Sequence, residues 1–176
     1  EISLGLVGSE MCIRDSGKSM HSHEYFMNKA LTMAYKAMQN GEVPVGAVIV
    51  HNNRVIATGF NRREEKHDAV AHAEILAIQK ANKLFMDWRL PECDIYVTLE
   101  PCPMCLGAAL NSRLRHIYFG AYDPNSGACG GKIDVSNMNM CNHNIGITGG
   151  LMQKECSELL KAYFASRRTP QEEVFE

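Results

Sequence analysis

The sequence lacks a surplus of positive charge and lacks any long apolar run. Its 18 lysine and arginine residues face 20 aspartate and glutamate residues, which gives a formal net charge of −2. Such a balance argues against a broadly basic nucleic-acid surface, while a local basic patch stays compatible with it. The apolar stretch near the start, residues 2–8, is too short for a membrane span and has no basic flank typical of a signal peptide. We therefore expect a cytoplasmic protein with no membrane partner.

The sequence also lacks the cysteine pattern of a disulfide framework. Its seven cysteines are an odd number, and their spacing is irregular apart from one CxxC motif, Cys102 and Cys105. Secreted disulfide scaffolds more often have an even count in a shorter chain. We expect the cysteines that follow the leader and lie outside the motif to be reduced and buried; these are Cys93, Cys129, Cys141 and Cys156.

No internal repeat, low-complexity tract or long linker divides the chain. Its 176 residues fit one domain with a substantial core. Residues 1–19 show no amphipathic pattern that a core would bury, and part of this stretch resembles a translated sequencing adapter. We expect residues 1–19 to be a non-native or disordered leader and residues 20–176 to form a single domain.

Strand-like and helix-like patterns alternate along the chain after an opening hairpin. Apolar or alternating runs predict strands at 43–50, 54–61, 93–100, 116–122 and, more briefly, near 145–148. Helical periodicity and end signals predict helices at 23–40, 69–82, 102–113 and 154–167. In the second of these helices, Ile75, Leu76 and Ile78 are expected to face the core. The alternation predicts the α/β class, with helices covering both faces of one sheet.

One short motif, TLEPCPMCL at residues 98–106, raises the question of what its two cysteines do. By itself a CxxC pair could form a disulfide, a thioredoxin-like redox pair or half of a structural zinc site. His72 and Glu74 open the preceding predicted helix, and Cys102 and Cys105 open the next one, with Pro103 in its first turn. One strand joins these two helices, so their N-termini can meet at one end of the sheet, where partial positive charge favours thiolates.

One imidazole and two thiolates would make a three-ligand zinc site. With His72, Cys102 and Cys105 as ligands, the fourth position is left for water, as catalytic zinc requires. A structural site usually has a fourth Cys or His, and the sequence contains neither a second CxxC nor an HxxxH motif. Glu74 can approach the water without being a ligand and act as a proton shuttle. The order His-x-Glu followed by Pro-Cys-x-x-Cys is the signature of zinc deaminases.

Around these motifs, the sequence from about residue 22 to 168 resembles the bacterial tRNA-specific adenosine deaminase family, within the zinc cytidine and deoxycytidylate deaminase superfamily. The segments that carry the resemblance include EVPVGAVIVHNNRVI, HDAVAHAEI, YVTLEPCPMC, FGAYDPNSGACG and AYFASRR. PCPMCLGA alone does not discriminate, because guanine deaminases share it. The resemblance implies a three-layer α/β/α sandwich with a central, mostly five-stranded mixed sheet of the cytidine deaminase-like fold. It also implies a homodimer with one zinc ion per subunit and no nucleotide cofactor.

The same resemblance implies the reaction and its site residues. The reaction is hydrolysis of the wobble adenosine, position 34, of an arginine tRNA to inosine, with Glu74 as the proton shuttle. Asn61 and the backbone N–H of Ala73 would hydrogen-bond the flipped base, Val45 would form an apolar wall, and Asp123 would accept a hydrogen bond from a 2′-OH. Basic residues that follow Asn61 or end the last predicted helix are candidate RNA contacts; they are Arg62, Arg63, Lys66, Arg167 and Arg168.

The sequence leaves three functions open. The first is RNA-directed adenosine deamination. The second is deamination of a free base or nucleotide, such as guanine, cytosine or a riboflavin-pathway pyrimidine. The third is a non-catalytic, zinc-stabilised RNA-binding or scaffold protein, against which Glu74 argues because a structural zinc site needs no proton shuttle.

Overall fold

Helices and strands follow the predicted order in the computed structural model, which describes residues 20–136 and 142–168. The strands are β1 (Gly46–His51), β2 (Arg54–Phe60), β3 (Cys93–Leu99), β4 (His116–Ala121) and β5 (Gly146–Thr148). The helices are α1 (His23–Gln39), α2 (Arg63–Lys66), α3 (Ala73–Phe85), α4 (Pro103–Asn111) and α5 (Gln153–Arg167). The predictions for the leader and for Cys141 fall outside the described residues.

Helix α1 begins and ends where its sequence signals place it. The Ser22 side chain accepts a hydrogen bond from the backbone N–H of Tyr25 at 3.2 Å, which satisfies one of the free donors of the first turn. Asn40 ends the helix, and Gly41 follows in the left-handed region with φ +75. The inward face carries apolar residues that are all buried: Phe26, Ala30, Met33, Ala34 and Ala37.

The sheet is mixed, and its topology gathers several chain segments at one end. Within the described residues the strand order is β2-β1-β3-β4-β5. β1 is antiparallel to β2 and β3, whereas β3, β4 and β5 run parallel. The start of β1 therefore lies beside the end of β2 and the ends of β3 and β4. We call this the site end of the sheet, and the opposite end, where β3 and β4 begin, the far end.

Helices cover both faces of the sheet, as predicted for the α/β class. One buried cluster packs α3 and α4 against side chains such as Ile49, Ile95 and Ile117. The other packs α1 and α5 against the opposite face, through Val48 and Tyr96 among others. The result is a three-layer α/β/α sandwich. Across the described ranges, none of the helices has both the length and the apolar character that crossing a bilayer requires.

Helix α3 packs closely on strand β2, and this contact sets the position of its first turn. A Cβ at Gly59 would stand 2.2 Å from Ala73 O and 2.8 Å from Ala77 N, so only glycine allows the approach. The inward face of α3 is accordingly built of small residues, with Ala73 and Ala77 fully buried. The prediction for this face was right for Ile78, which is buried, and wrong for Ile75 and Leu76, which are only partly buried.

Candidate metal centre

Two helix N-termini at the site end bring three metal-ligating side chains together. His72 is the N-cap residue of α3 and Cys102 is the N-cap residue of α4, each with an extended backbone. Pro103 is the first residue of α4, and the buried Cys105 follows two residues later in the same turn. The Nδ1 atom of His72 is 3.7 Å from Cys102 Sγ and 3.4 Å from Cys105 Sγ. The structure thus brings the three predicted ligands to one point.

The spacing of these donor atoms fits a tetrahedral zinc ion. All three lie within 4.8 Å of one another. Zn–S bonds of about 2.3 Å and Zn–N bonds of about 2.0 Å, arranged tetrahedrally, place sulfur and nitrogen ligands about 3.5 Å apart. Two thiols and an imidazole also suit zinc better than calcium or magnesium, which prefer oxygen ligands. In the part of the chain that the structure describes, no other group of three such residues is close enough to hold a metal ion.

Hydrogen bonds within the cluster already favour a thiolate. The hydrogen bond from the Cys105 thiol, together with one from His72, lowers the pKa of Cys102 to about 4. The same bond to Cys102, with burial, raises the pKa of the Cys105 thiol well above its usual range. The hydrogen bond with Cys102 also raises the pKa of His72. A cation bound by the cluster would be held by the Cys102 thiolate and would displace the proton of the Cys105 thiol.

Glu74 is a buried carboxyl group beside this cluster. It lies in the first turn of α3 and is 5% exposed. Burial raises the pKa of this carboxyl group to about 7, against the opposing effect of a hydrogen bond from its own backbone. Its oxygens are not part of the group of atoms that could hold the metal. The geometry therefore separates three possible ligands from one nearby proton-binding group.

A cavity of about 370 Å³ opens at this cluster. That volume lies within the range of about 300–1,000 Å³ found for small-molecule sites. Most of the predicted site residues line it: Val45, Asn61, Arg63, His72, Ala73, Glu74, Cys102 and Asp123. Cys105 is buried and is not part of the lining, and neither are Arg62, Lys66, Arg167 and Arg168.

Asn61 and its neighbours form one wall of the cavity. The Asn61 backbone N–H donates to Val45 O at 3.0 Å, which ties the end of β2 to the segment before β1. The Asn61 amide donates to Val43 O at 3.3 Å and accepts from the backbone N–H of Arg63, also at 3.3 Å. Both side-chain bonds lie at the long end of hydrogen-bond distances. Asn61 is only 7% exposed, but it lines the cavity, so a ligand bound there can contact its side chain.

Glu42, which sequence reasoning missed, secures the segment that follows Asn61. Its fully buried carboxylate accepts hydrogen bonds from the backbone N–H of Glu65 at 2.9 Å and of Glu64 at 3.3 Å. These first-turn donors of α2 have no acceptor inside the helix. The only sequence signal was an acidic residue between a helix-ending glycine and an apolar strand.

A second wall of the cavity runs from Tyr122 to Ser126. The Asp123 carboxylate accepts hydrogen bonds from the backbone N–H of Asn125 at 2.9 Å and of Ser126 at 3.2 Å, and from Ser126 Oγ at 2.6 Å. Asp123 therefore shapes the turn that carries it. A 2′-OH, as predicted from the family resemblance, would have to share this carboxylate with the turn.

Glu100 is the other site residue that sequence reasoning missed. It lines the cavity yet is almost completely buried, and its carboxylate accepts hydrogen bonds from the loop that contains Asp123. The available signal was weak. Glu100 is the acidic residue at the end of the buried strand β3, directly before the proline of the CxxC motif.

The candidate RNA contacts near Asn61 differ in how free their charges are. Arg62 forms a two-bond ion pair with Glu65, at 2.7 and 2.5 Å, and its guanidinium lies over the Phe60 ring. Arg63 lines the cavity and is exposed, and Lys66 is exposed beside it. Arg63 is thus the better placed of the two arginines to meet a ligand.

The end of α5 shows the same division. The Arg167 guanidinium donates to Gly41 O at 2.6 Å and lies over the Tyr163 ring. Arg168 lines a shallow depression together with Lys161 and Phe164. Phe164 also lines the cavity, so this depression adjoins it.

The chain is similar to known deaminases over most of its length. A model of the MafB19-like deaminase family matches residues 21–167. The tRNA-specific adenosine deaminase of Bacillus subtilis (strain 168) is 42% identical over 149 residues, which cover 85% of this chain and 92% of that protein. A solved structure from work on A-to-I editing by tRNA:A34 deaminases at the wobble position of transfer RNA has a TM-score of 0.73 and 42% identity, covering 77% of this chain and 98% of that one. A guanine deaminase structure from Bacillus subtilis has a TM-score of 0.57 and 30% identity, covering 89% and 100% of the two chains.

Proposed function

The chain belongs to the tRNA-specific adenosine deaminases, within the MafB19-like deaminases, and we propose that it converts the wobble adenosine of an arginine tRNA to inosine with a bound zinc ion. The family resemblance predicted from the sequence is thereby confirmed, as is the deaminase fold. The observation that carries the proposal is the convergence of His72, Cys102 and Cys105 at the cavity, with Glu74 buried beside them.

His72, Cys102 and Cys105 are the residues that would hold one zinc ion per subunit. Their donor atoms have the separations of a tetrahedral site, and the helix N-termini that carry His72 and Cys102 favour anionic ligands. A zinc ion held there supplies Lewis-acid activation of a water molecule near neutral pH. Three protein ligands would leave the fourth position of a tetrahedral zinc ion for that water.

Glu74 is the proposed proton carrier. Hydrolysis adds the oxygen of water to adenine C6 and breaks the C6–N6 bond. One proton of the water passes through a Glu74 carboxylate oxygen to the ring nitrogen N1, and the second passes by the same route to N6, so that ammonia leaves and inosine remains. The support for this role is position, because Glu74 lines the cavity beside His72 and Cys102 but stands outside the ligand set.

The Asn61 wall is proposed to hold the flipped base. Asn61 would exchange its long hydrogen bonds with Val43 and Arg63 for bonds to the base edge. The backbone N–H of Ala73, at the first position of α3, has no acceptor within the helix and would provide a second contact. Val45 would supply the apolar side of the slot. All three line the same cavity.

Flanking RNA would run over the rim of the cavity. We assign the nearest phosphate contacts to Arg63 on one side and Arg168 on the other. Arg62 and Arg167 would first have to give up contacts with Glu65 and Gly41, and Lys66 stands outside the lining. Asp123 would accept a hydrogen bond from a 2′-OH and so help to distinguish RNA from DNA.

Further features of the proposal come from the family resemblance. We infer a homodimer acting in the cytoplasm on the anticodon stem-loop of an arginine tRNA, with residues 20–176 as one deaminase domain. The family model, which covers residues 21–167, supports the extent of that domain.

A second candidate function is deamination of a free purine. The 30% identity to a guanine deaminase that this chain covers completely favours it, and a cavity of about 370 Å³ is large enough for a free base. The two functions differ in whether the exposed rim around Arg63 and Phe164 contributes to substrate binding.

A direct comparison of substrates tests the proposal. Zinc-loaded enzyme is mixed with an anticodon stem-loop that carries a wobble adenosine, with the same stem-loop carrying a cytidine there, and with free adenosine, guanine and cytosine. We expect deamination of the first substrate alone, measured by mass spectrometry of the digested RNA and of the free adenosine, guanine and cytosine. Conversion of a free base without conversion of the stem-loop would contradict the proposal and favour the second function.

A further inference from the structure

One buried carboxylate joins the metal-binding turn to the second wall of the cavity. Glu100 is 2% exposed and precedes the turn that begins α4. Its Oε1 atom accepts a hydrogen bond from Asp123 N at 3.2 Å, and its Oε2 atom accepts from Cys129 N at 2.9 Å and from Gly131 N at 3.0 Å. Three main-chain donors of the loop 123–131 thus converge on a single side chain.

Two glycines let the loop close on this carboxylate. A Cβ at Gly127 would stand 2.1 Å from Glu100 Oε2, and a Cβ at Gly131 would stand 2.3 Å from Glu100 Oε1. Either contact would push the loop away from Glu100. The loop is also tied to the metal-binding turn through Ala128 N, which donates to Pro101 O at 2.9 Å.

The segment held in this way is the one that faces a ligand. Residues 122–126 line the cavity, yet the side chains of Pro124, Asn125 and Ser126 are exposed and do not anchor the segment by packing. Hydrogen bonds to a buried carboxylate are among the stronger ones in proteins, and their loss leaves buried N–H groups without acceptors. The wall is joined to Glu100 directly through Asp123 N, and the loop that follows it is joined through Cys129 N and Gly131 N.

We propose that Glu100 is a positioning residue that fixes the wall formed by residues 122–126 relative to Cys102, so that the nucleotides next to the target adenosine meet a preformed surface. This inference rests on the proposed function. Both oxygens of Glu100 are engaged by loop N–H groups, so Glu100 acts through the loop. Its loss should weaken substrate binding more than the chemical step.

The variant Glu100→Gln tests this role, because an amide keeps the shape but replaces one acceptor oxygen with an NH₂ group that cannot accept a hydrogen bond. For the wobble-adenosine stem-loop we expect KM to rise about tenfold, kcat to stay within about twofold and the zinc content per subunit to be unchanged. The matched control is Glu92→Gln, an exposed glutamate at the far end, which should leave all three quantities unchanged.

Hydrogen exchange of the zinc-loaded protein without RNA gives a readout independent of activity. In Glu100→Gln the amides of residues 123–131 should exchange about tenfold faster, while those of α3 and α4 keep their rates. If Glu100→Gln does not fold, Glu100→Asp, which is one methylene shorter, should show the same local effect.

Three results would overturn the inference: unchanged exchange in the loop, a fall in kcat at unchanged KM, or loss of zinc from the variant. Failure of the proposed function would look different. If the wild-type enzyme converted no stem-loop, that function would be wrong, and the exchange comparison would still decide whether Glu100 holds the loop.

Discussion

The two ends of the sheet both carry polar side chains, but these are satisfied in different ways. At the far end, Arg115 binds Asp94 through two hydrogen bonds of 2.9 and 2.7 Å. At the site end, His72 lies within hydrogen-bonding distance of both cysteines, and the Glu74 carboxyl group is buried beside them. The far end matches opposite charges within the chain, whereas the site end gathers groups that a cation would complete.

The same residue pair occurs at both ends and makes the difference plain. Cys93 Sγ lies 3.7 Å from His51 Nδ1 at the far end, and Cys102 Sγ lies 3.7 Å from His72 Nδ1 at the site end. Burial raises the pKa of Cys93 to about 11, whereas a hydrogen bond from the second thiol lowers the pKa of Cys102 to about 4. The Cys102–His72 pair differs from the Cys93–His51 pair in having a second thiol and two helix N-termini beside it, and both favour a thiolate.

The largest expected effect comes from breaking the pair formed by Cys102 and His72 at the site end. Cys102→Ser replaces a thiolate ligand with a hydroxyl group that does not ionise near neutral pH. We expect the purified variant to lose its zinc and its deamination rate to fall about 1,000-fold or more, since several kcal/mol of transition-state stabilisation disappear with the metal. Metal analysis and single-turnover inosine formation measure the two quantities.

The matched control for this variant is Cys93→Ser, which alters the pair formed by Cys93 and His51 at the far end. It should keep full zinc content and wild-type activity. Zinc retained by Cys102→Ser, or zinc lost from Cys93→Ser, would contradict the assignment of the two pairs.

A smaller effect, on stability alone, is expected from breaking the far-end ion pair. Asp94→Asn removes the charge that Arg115 binds. Because the Arg115 side chain is 59% exposed and stays hydrated, the free energy of unfolding should fall by only about 1–2 kcal/mol. Urea denaturation of the zinc-loaded protein measures this change, while kcat and KM for the stem-loop should not move. A loss of activity without a loss of stability would mean that the far end takes part in function.

The smallest expected effect separates the two arginines that follow Asn61. Arg63→Ala should raise KM for the stem-loop about threefold to fivefold and reduce the slope of log Kd against log salt by about 1, as for one lost phosphate contact. Arg62→Ala should do less, because Arg62 is paired with Glu65. Equal effects of the two substitutions would show that the ion pair opens when RNA binds.

The clustering of the three candidate ligands could be predicted from the sequence because its signals are local. His72 and Cys102 each precede a helix start, Pro103 marks the second start, and one strand connects the two helices. Strand-to-helix alternation predicts neighbouring helix N-termini at one end of the sheet. The order of the motifs was therefore enough to place the cluster.

The walls of the cavity could not be predicted in the same way. Glu42 and Glu100 accept hydrogen bonds from backbone N–H groups that are 22 to 31 residues away. Every residue except proline has such a donor, so the sequence does not indicate which residues donate. The face of α3 was misjudged for a related reason. The close approach of its first turn to Gly59 favours alanine inward over isoleucine and leucine, and that approach follows from packing rather than from periodicity.

The most direct test of the account is the rate of deamination in Glu74→Gln, compared with the control Glu24→Gln. Both glutamates are the second residue of their helix, but Glu24 is exposed at the start of α1 and Glu74 is buried in the cavity. The comparison requires that both variants match the wild type in zinc content and stem-loop affinity. We expect Glu74→Gln to form inosine about 100- to 10,000-fold more slowly in a single turnover. Glu24→Gln should keep the wild-type rate. A wild-type rate in zinc-loaded Glu74→Gln would contradict the proposal that this end of the sheet is a deaminase site with Glu74 as its proton carrier.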